Sequence, residues 1–340
     1  MSKVRVAING FGRIGRLVLR GLKEYDTKGL MEVVALQRHN AAVDQMAYLL
    51  KYDSVHRRFD AQISYDDSHL IVDGHSMEVL RADTAEELPW KKLGVDLIIE
   101  ASGAYTKSDK ASWHLQAGAK KVLLTSPGKS DDIATFVMGV NEKTYDPASH
   151  HIVSNASCTT NCLAPVAKVL HEQFGIVSGL MTTEHSYTSD QRLHDKSHKN
   201  NFRARAAALS MVPTTTGAAK AVGKVIPELN GKLSGLSIRV PTPDVSLVDL
   251  TFVAAKPVTV ESINQAMKEA SESTLKGYLG YETDDCVSVD FTHDPRSAVF
   301  APSQTMVIGN LAKVLAWYDN EWGYSCRCID LANYMIEKGF

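Results

Sequence analysis

Val4-Arg5-Val6-Ala7-Ile8-Asn9-Gly10-Phe11-Gly12-Arg13-Ile14-Gly15-Arg16 carries a short, mostly apolar segment straight into three glycines spaced G-x-G-x-x-G. The segment reads as a buried parallel strand that turns tightly into a helix. Ile14, Leu17, Val18 and Leu22 continue at helical spacing, and Glu32-Val33-Val34-Ala35-Leu36 supplies a second strand, so the opening of the chain reads as one βαβ unit. Glycines in such a turn let the backbone approach a pyrophosphate, and the positive end of the following helix favours the anion. A ligand-free tight turn uses the same glycines, but the flanking strands at the right distance select dinucleotide binding. Gly10, Gly12 and Gly15 would shape the turn, Arg13 and Ile14 would offer backbone amides, and Phe11 would pack beneath it.

Further apolar runs, at Val95-Asp96-Leu97-Ile98-Ile99-Glu100, Lys121-Val122-Leu123-Leu124-Thr125 and Thr135-Phe136-Val137-Met138-Gly139-Val140, alternate with helical stretches. They extend the unit into a Rossmann-type doubly wound parallel sheet, the α/β class, over residues 1–157. Beyond it the texture changes. Leu236-Ser237-Ile238-Arg239-Val240 and the run from Ser246 to Val253 alternate apolar and polar residues, as a mostly antiparallel sheet covered on one side requires. With helical segments near 217–225 and 260–275, residues 158–319 read as an α+β domain. A last helix from about residue 320 to 340 is expected to return to the first domain.

Dinucleotide sites that take NAD place an acidic residue roughly 20 residues beyond the glycines, where it accepts from the ribose hydroxyls. This chain has Gln37-Arg38-His39-Asn40 there. A carboxylate repels a 2′-phosphate and a guanidinium pairs with it bidentately, so Arg38 points to NADP as the preferred cofactor, with NAD still possible.

The chain has 340 residues, 44% hydrophobic and 22% charged, enough for two domains with substantial cores. A net charge of -2 leaves no basic excess, so nucleic acid is not an expected partner. No apolar run reaches the length of a membrane span, and a strand follows the first residues without a leader-like segment, so a cytoplasmic location is expected. Five cysteines, an odd number without metal-ligand spacing, fit a reducing compartment and no metal site.

One of those cysteines stands apart. Cys158 lies in Ser154-Asn155-Ala156-Ser157-Cys158-Thr159-Thr160-Asn161-Cys162, where an apolar strand gives way to a helix marked by Leu163, Val166, Ala167 and Leu170 and stopped at Gly175. The helix dipole there favours a thiolate. Ser157, Thr159 and Thr160 crowd the sulfur with hydroxyls, which suits an anion site better than a packed core. Cys162, one turn along, reads as a structural thiol. A base for Cys158 should be a histidine; His185, before the polar cluster 186–192, is the first candidate, and spacing alone leaves His151, His194 and His198 open.

Three motifs together, residues 9–16, residues 154–162 and Trp317-Tyr318-Asp319-Asn320-Glu321-Trp322-Gly323-Tyr324, resemble the phosphorylating glyceraldehyde-3-phosphate dehydrogenase family. Pro213-Thr214-Thr215-Thr216-Gly217-Ala218-Ala219-Lys220-Ala221-Val222 and Arg239-Val240-Pro241-Thr242-Pro243 are also similar, in order, and the likeness runs nearly end to end. The resemblance implies an oxidoreductase that converts D-glyceraldehyde 3-phosphate and inorganic phosphate reversibly to 1,3-bisphosphoglycerate. Cys158 would be the nucleophile and His185 its base, lowering the thiol pKa in the free protein. By the same resemblance Thr188, Asp190 and Arg239 would surround the substrate phosphate, and Ser157, Thr159, Arg203, Thr216 and Gly217 the attacking phosphate. Thr125 would approach the nicotinamide, Asn320 would hold its carboxamide, and Tyr324 would pack behind.

The resemblance also implies a homotetramer in which the loop 195–198 reaches a neighbour's adenosine, so that Lys196 and Ser197 would help hold a 2′-phosphate. Two departures stand out: Arg38 where NAD users have an acid, and Phe202 where a basic residue is common. Erythrose-4-phosphate dehydrogenase is a rival within the same chemistry, disfavoured by Thr188-Ser189-Asp190 and Thr215-Thr216-Gly217. A non-catalytic binding protein on the same scaffold is a rival of another class, disfavoured by the intact Cys158 and His185.

Overall fold

In the computed structural model, which describes residues 3–40 and 42–340, the chain forms two compact units. The first comprises residues 1–136, 142–156 and 325–340, and the second residues 137–141 and 157–324.

The first unit is built on a nine-stranded sheet. Its centre is the strand Val4–Asn9, paired in parallel with Met31–Gln37 on one side and Leu97–Glu100 on the other. Lys121–Leu124, Ile152–Ser154 and Ala134–Thr135 extend it in parallel, while a hairpin-like set between residues 63 and 80 finishes the opposite side. The central strands are apolar on both faces because both are covered: Ala7, Ile98 and Val122 pack with Trp90, Ala111 and Ala119. The apolar run at 135–140 is strand only at Ala134–Thr135. From Val137 the chain joins the second unit, and Gly139 turns it at a φ of +81° that an extended strand does not use.

One buried hydrogen-bond chain fixes the glycine turn from beneath. The Trp90 indole N–H donates to Nδ1 of His114, which leaves Nε2 of His114 to donate to Glu100. The same carboxylate accepts from the Asn9 side-chain amide and from the backbone and hydroxyl of Ser102. Asn9 and Ser102 flank Gly10, whose φ of +96° and close approach to Ser102 admit no side chain.

The second unit is an eight-stranded mixed sheet in the order 212–215, 233–240, 176–186, 246–254, 311–318, 298–300, 279–281, with 306–308 paired beside 311–318. Ile176–Ser186 runs parallel to Leu233–Val240 and antiparallel to Ser246–Ala254, and most remaining pairs are antiparallel. This topology brings the ends of four strands, at Ser186, Val240, Ser246 and Tyr318, to one edge of the sheet. The helix Cys158–Phe174 is capped at its start by Ser157, whose hydroxyl accepts from the Thr160 N–H, and ends at Gly175 with φ +70°. Trp322–Lys338 is one helix, so Cys326 and Cys328 are helical. No helix of the described residues is long and apolar enough to cross a membrane.

Gly15 sits where a Cβ would meet the Gly10 carbonyl oxygen at 2.0 Å. Gly15→Ala is expected to lower stability by about 1–3 kcal/mol through overpacking, read as a reduced urea midpoint at unchanged slope.

Candidate active site

The site in the second unit starts from the register of two parallel strands. His185 and Arg239 are direct partners in the pairing of Ile176–Ser186 with Leu233–Val240. Cys158 opens the helix whose first turn faces them, with Sγ 3.4 Å from Nε2 of His185. Nδ1 of His185 lies 2.7 Å from the Ser186 carbonyl oxygen and 2.9 Å from Nη1 of Arg239, which itself donates to the same carbonyl at 3.0 Å. If Nδ1 carries the proton it donates to Ser186, leaving Nε2 as an acceptor aimed at the thiol.

Burial, followed by the Arg239 charge, drives the His185 pKa down to about 3. Burial also pushes the Cys158 thiol up, against the pull of Arg239 and of hydrogen bonds from Thr159. The imidazole is not among the causes of that thiol shift, so His185 favours the thiolate by taking its proton and not by a standing charge. A neutral ring offers no positive charge to hold a thiolate. What each group resists is charging alone. Transfer of the proton from Sγ to Nε2 creates both ions at contact with no change in net charge, so the two titrate as a pair. Cys158 is half-buried and reachable by a small molecule, whereas Cys162 is fully buried, as its reading as a packed thiol requires.

The arginines form the next layer. Arg203 is tied to the Asp190 carboxylate, donates to the Thr214 hydroxyl at 3.1 Å, and reaches the Thr215 carbonyl at 3.5 Å. His198 stands 3.5 Å from the other oxygen of Asp190. Arg203 is close enough to Arg239 to depress its pKa after burial has done so. Two guanidiniums thus converge with one carboxylate beside the thiol. Thr216 accepts the Ala218 N–H and, with Gly217, opens the helix Ala218–Val225. Ser157 and Thr159 both have internal partners: Ser157 caps its helix, and the Thr159 hydroxyl meets the Tyr318 hydroxyl at 2.8 Å. Thr188 lies on the loop with Asp190. Phe202, 57% exposed, adds no charge beside Arg203.

Tyr318, Ser246, Asp319 and Asp244 went unassigned in the sequence. Tyr318 bonds Thr159 and, at 2.9 Å, Thr183, and sets its ring edge-on to His185. Asp319 accepts the N–H groups of His293, Glu321 and Trp322. Asn320 follows, and its side-chain oxygen takes a 2.6 Å hydrogen bond from Ser246. The motif around 317–324 hinted at Tyr318 and Asp319 alone, since partners of all four lie far away in sequence.

In the first unit Gly12 opens the helix Arg13–Glu24 with no side-chain cap and no acid in its first turn, and a Cβ there would meet nothing within 4 Å. The space and donors fit a pyrophosphate, with Arg13 and Ile14 in that first turn. Thr125 is held on the Glu100 carbonyl through its N–H and hydroxyl. Arg38 reaches across to the Phe11 carbonyl oxygen at 2.6 Å. Burial, then Arg13 and Arg38, pull the Arg16 pKa down to about 10, with Asp53 opposing, so three guanidiniums crowd this face around the one carboxylate paired with Arg13.

Residues 4–108 match the family model for the NAD binding domain of glyceraldehyde 3-phosphate dehydrogenase, and residues 157–320 match that for its C-terminal domain. The chain belongs to the glyceraldehyde-3-phosphate dehydrogenase family. Proteins of that name from Geobacillus stearothermophilus and Trichormus variabilis are 55% and 52% identical to it, over 99% and 98% of this chain and 99% of each relative. A plasmid-encoded one from Cupriavidus necator is 53% identical over 97% of both. As a member of the glyceraldehyde-3-phosphate dehydrogenase family, the chain is an oxidoreductase with a nicotinamide-cofactor domain and a small-molecule substrate.

Near Asn320, burial and then Asp319 and Glu321 hold the Asp244 carboxyl far above the usual carboxylate range. The folded state keeps a proton that the unfolded chain releases near pH 4, so stability falls as pH rises through the neutral range. Asp244→Asn should therefore raise Tm at pH 8, by about 2 °C or more, and reduce the loss of Tm between pH 6 and 9; identical Tm profiles would contradict it.

Proposed function

We propose that the chain catalyses reversible oxidative phosphorylation of D-glyceraldehyde 3-phosphate, with NADP preferred and NAD usable. The observation that carries this reading is the 3.4 Å contact between a thiol at a helix N-terminus and an imidazole whose far nitrogen faces Arg239. Cys158 gives its proton to Nε2 of His185 and its sulfur adds to the aldehyde carbon; His185 returns the proton to the developing alkoxide, leaving a hemithioacetal. A bound nicotinamide, held by Asn320 and approached by Thr125, would supply the acceptor for the hydride that leaves that carbon. His185 takes the hydroxyl proton as the carbonyl re-forms, and the product is a thioester on Cys158. A phosphate oxygen then attacks the thioester carbon, the Cys158 thiolate leaves, and the acyl phosphate is released.

Arg239, Thr188 and Asp190 serve the substrate phosphate. Arg203, Thr216, Gly217, Ser157 and Thr159 serve the attacking phosphate, Ser157 and Thr159 through the backbone of the helix start, because their hydroxyls are engaged internally. Gly10, Gly12, Arg13, Ile14 and Gly15 hold the pyrophosphate, Thr125 and Asn320 the nicotinamide side, and Tyr324, which is buried, supports Asn320. Arg38 holds the 2′-phosphate; the excess of guanidinium over carboxylate on its face supports this assignment.

A homotetramer is supported by exposed apolar residues on the second sheet, among them Leu180, Leu236, Val253 and Leu311. Five free cysteines fit a reducing cytoplasm.

The deciding experiment is kcat/KM for NADP and for NAD with glyceraldehyde 3-phosphate and saturating phosphate. NADP should lead by about tenfold or more, equivalent to about 1.4 kcal/mol, and Arg38→Asp should reverse the order. Equal use of both by the wild type would reduce Arg38 to a loop residue. Cys158→Ser should abolish turnover in a folded protein, and His185→Asn should slow iodoacetamide alkylation of Cys158 at pH 7 by about tenfold, since the proton loses its acceptor. Fast oxidation of erythrose 4-phosphate without inorganic phosphate would select the rival dehydrogenase.

A further inference from the structure

The edge of the second sheet holds a hydrogen-bond chain that the reaction scheme leaves unused. Ser246 begins its strand directly opposite Tyr318, and Asn320 lies two residues beyond Tyr318. The Ser246 hydroxyl oxygen accepts the Ser186 N–H at 3.1 Å, and lies 2.6 Å from Oδ1 of Asn320. Ser186 and Ser246 are 0% and 1% exposed, so bulk water does not complete their bonding.

These contacts fix where each proton lies. A backbone N–H can only donate, so Ser246 accepts from Ser186 and its own hydroxyl proton goes to Asn320. With a flipped Asn320 amide the Ser246 oxygen would accept from both the Ser186 N–H and the Asn320 NH2, and its own O–H would lose the acceptor it now has. The Ser186 hydroxyl gives no relief, because it donates to the Val245 carbonyl at 2.6 Å. An unsatisfied buried donor costs about 1–3 kcal/mol, so one amide orientation is held. The backbone of Asn320 is pinned separately, by Asp319 accepting the next two N–H groups.

We propose that Ser246 is a positioning residue that locks Asn320 with its NH2 outward, making it a donor-only clamp that recognises the carbonyl oxygen of the nicotinamide carboxamide and ignores the carboxamide NH2. This rests on the reading that Asn320 holds the carboxamide. Because Ser186 also carries the carbonyl that receives Nδ1 of His185, one strand end orients both the base and the cofactor clamp.

The test is equilibrium binding, by calorimetry, of NADP and of its 3-acetylpyridine analogue, which keeps the carbonyl and lacks the NH2. A donor-only clamp should bind the two within about threefold, since no hydrogen bond is lost. In Ser246→Ala the amide is free to turn. The natural cofactor can then answer either orientation and the analogue only one, so with both orientations equally populated the analogue should weaken by about twofold relative to NADP. Strong wild-type discrimination against the analogue, or an unchanged ratio in Ser246→Ala, overturns the proposal. Asn320→Ala separates it from the reading beneath: if that variant binds both ligands as the wild type does, Asn320 does not hold the carboxamide. If Asn320→Ala weakens both ligands while Ser246→Ala keeps the wild-type ratio, Ser246 alone is refuted. Should Ser246→Ala fail to fold, neutron diffraction from deuterated wild-type crystals decides the point. A deuterium between Ser246 and Oδ1 of Asn320 supports it, and an amide ND2 facing Ser246 overturns it.

Discussion

The register of Ile176–Ser186 against Leu233–Val240 is the constraint on which the candidate site depends. It places His185 beside Arg239 and sends Glu184 to the opposite face. A slip of one residue would exchange those faces and put a carboxyl against the thiol in place of the imidazole. Register is held by the buried sheet on one side, where Thr183, Met181 and Leu250 pack, and by the antiparallel partner Ser246–Ala254 on the other. The candidate nucleophile, Cys158, is then supplied by a helix whose start is fixed by its own cap at Ser157. Sheet pairing and helix capping together set a distance of 3.4 Å between two groups 27 residues apart in the chain.

That geometry explains why the pair is chemically useful even though burial resists ionisation of either member. Burial pushes the thiol up and the imidazole down, so it opposes either group ionising alone. A lone ion in this setting would be costly, but proton transfer within the pair keeps the charges adjacent. The surrounding arginines are half-neutralised by Asp190, which keeps a local positive excess where anionic ligands would dock. The same logic recurs in the first unit, where three arginines share one carboxylate and a capless helix start presents free amides.

Much of the site was legible because local chemistry announces it. G-x-G-x-x-G between strand and helix identifies the dinucleotide turn, and hydroxyl residues around Cys158 at a strand-to-helix change point to it as the candidate nucleophile. Choosing His185 among the histidines was beyond spacing, since the partner that selects it, Arg239, is 54 residues away and meets it only through strand pairing. Ser246, Tyr318 and Asp244 were invisible for a similar reason: a serine, a tyrosine and an aspartate look ordinary until a sheet edge gathers them. The apolar run 135–140 misled because apolar composition records burial and not backbone conformation. Gly139 and its neighbours are drawn into the second unit.

The sequence by itself determined the fold class, the dinucleotide turn, the likeness to a family and the candidate reactive cysteine, because each rests on residues adjacent in the chain whose conformational or chemical preferences act locally. The tertiary structure alone decided the direction of the Cys158 and His185 pKa shifts, the engagement of Ser157 and Thr159 in internal bonds, and the orientation of the Asn320 amide. Those properties depend on desolvation and on which donor meets which acceptor, and both are set only when distant strands close on one another.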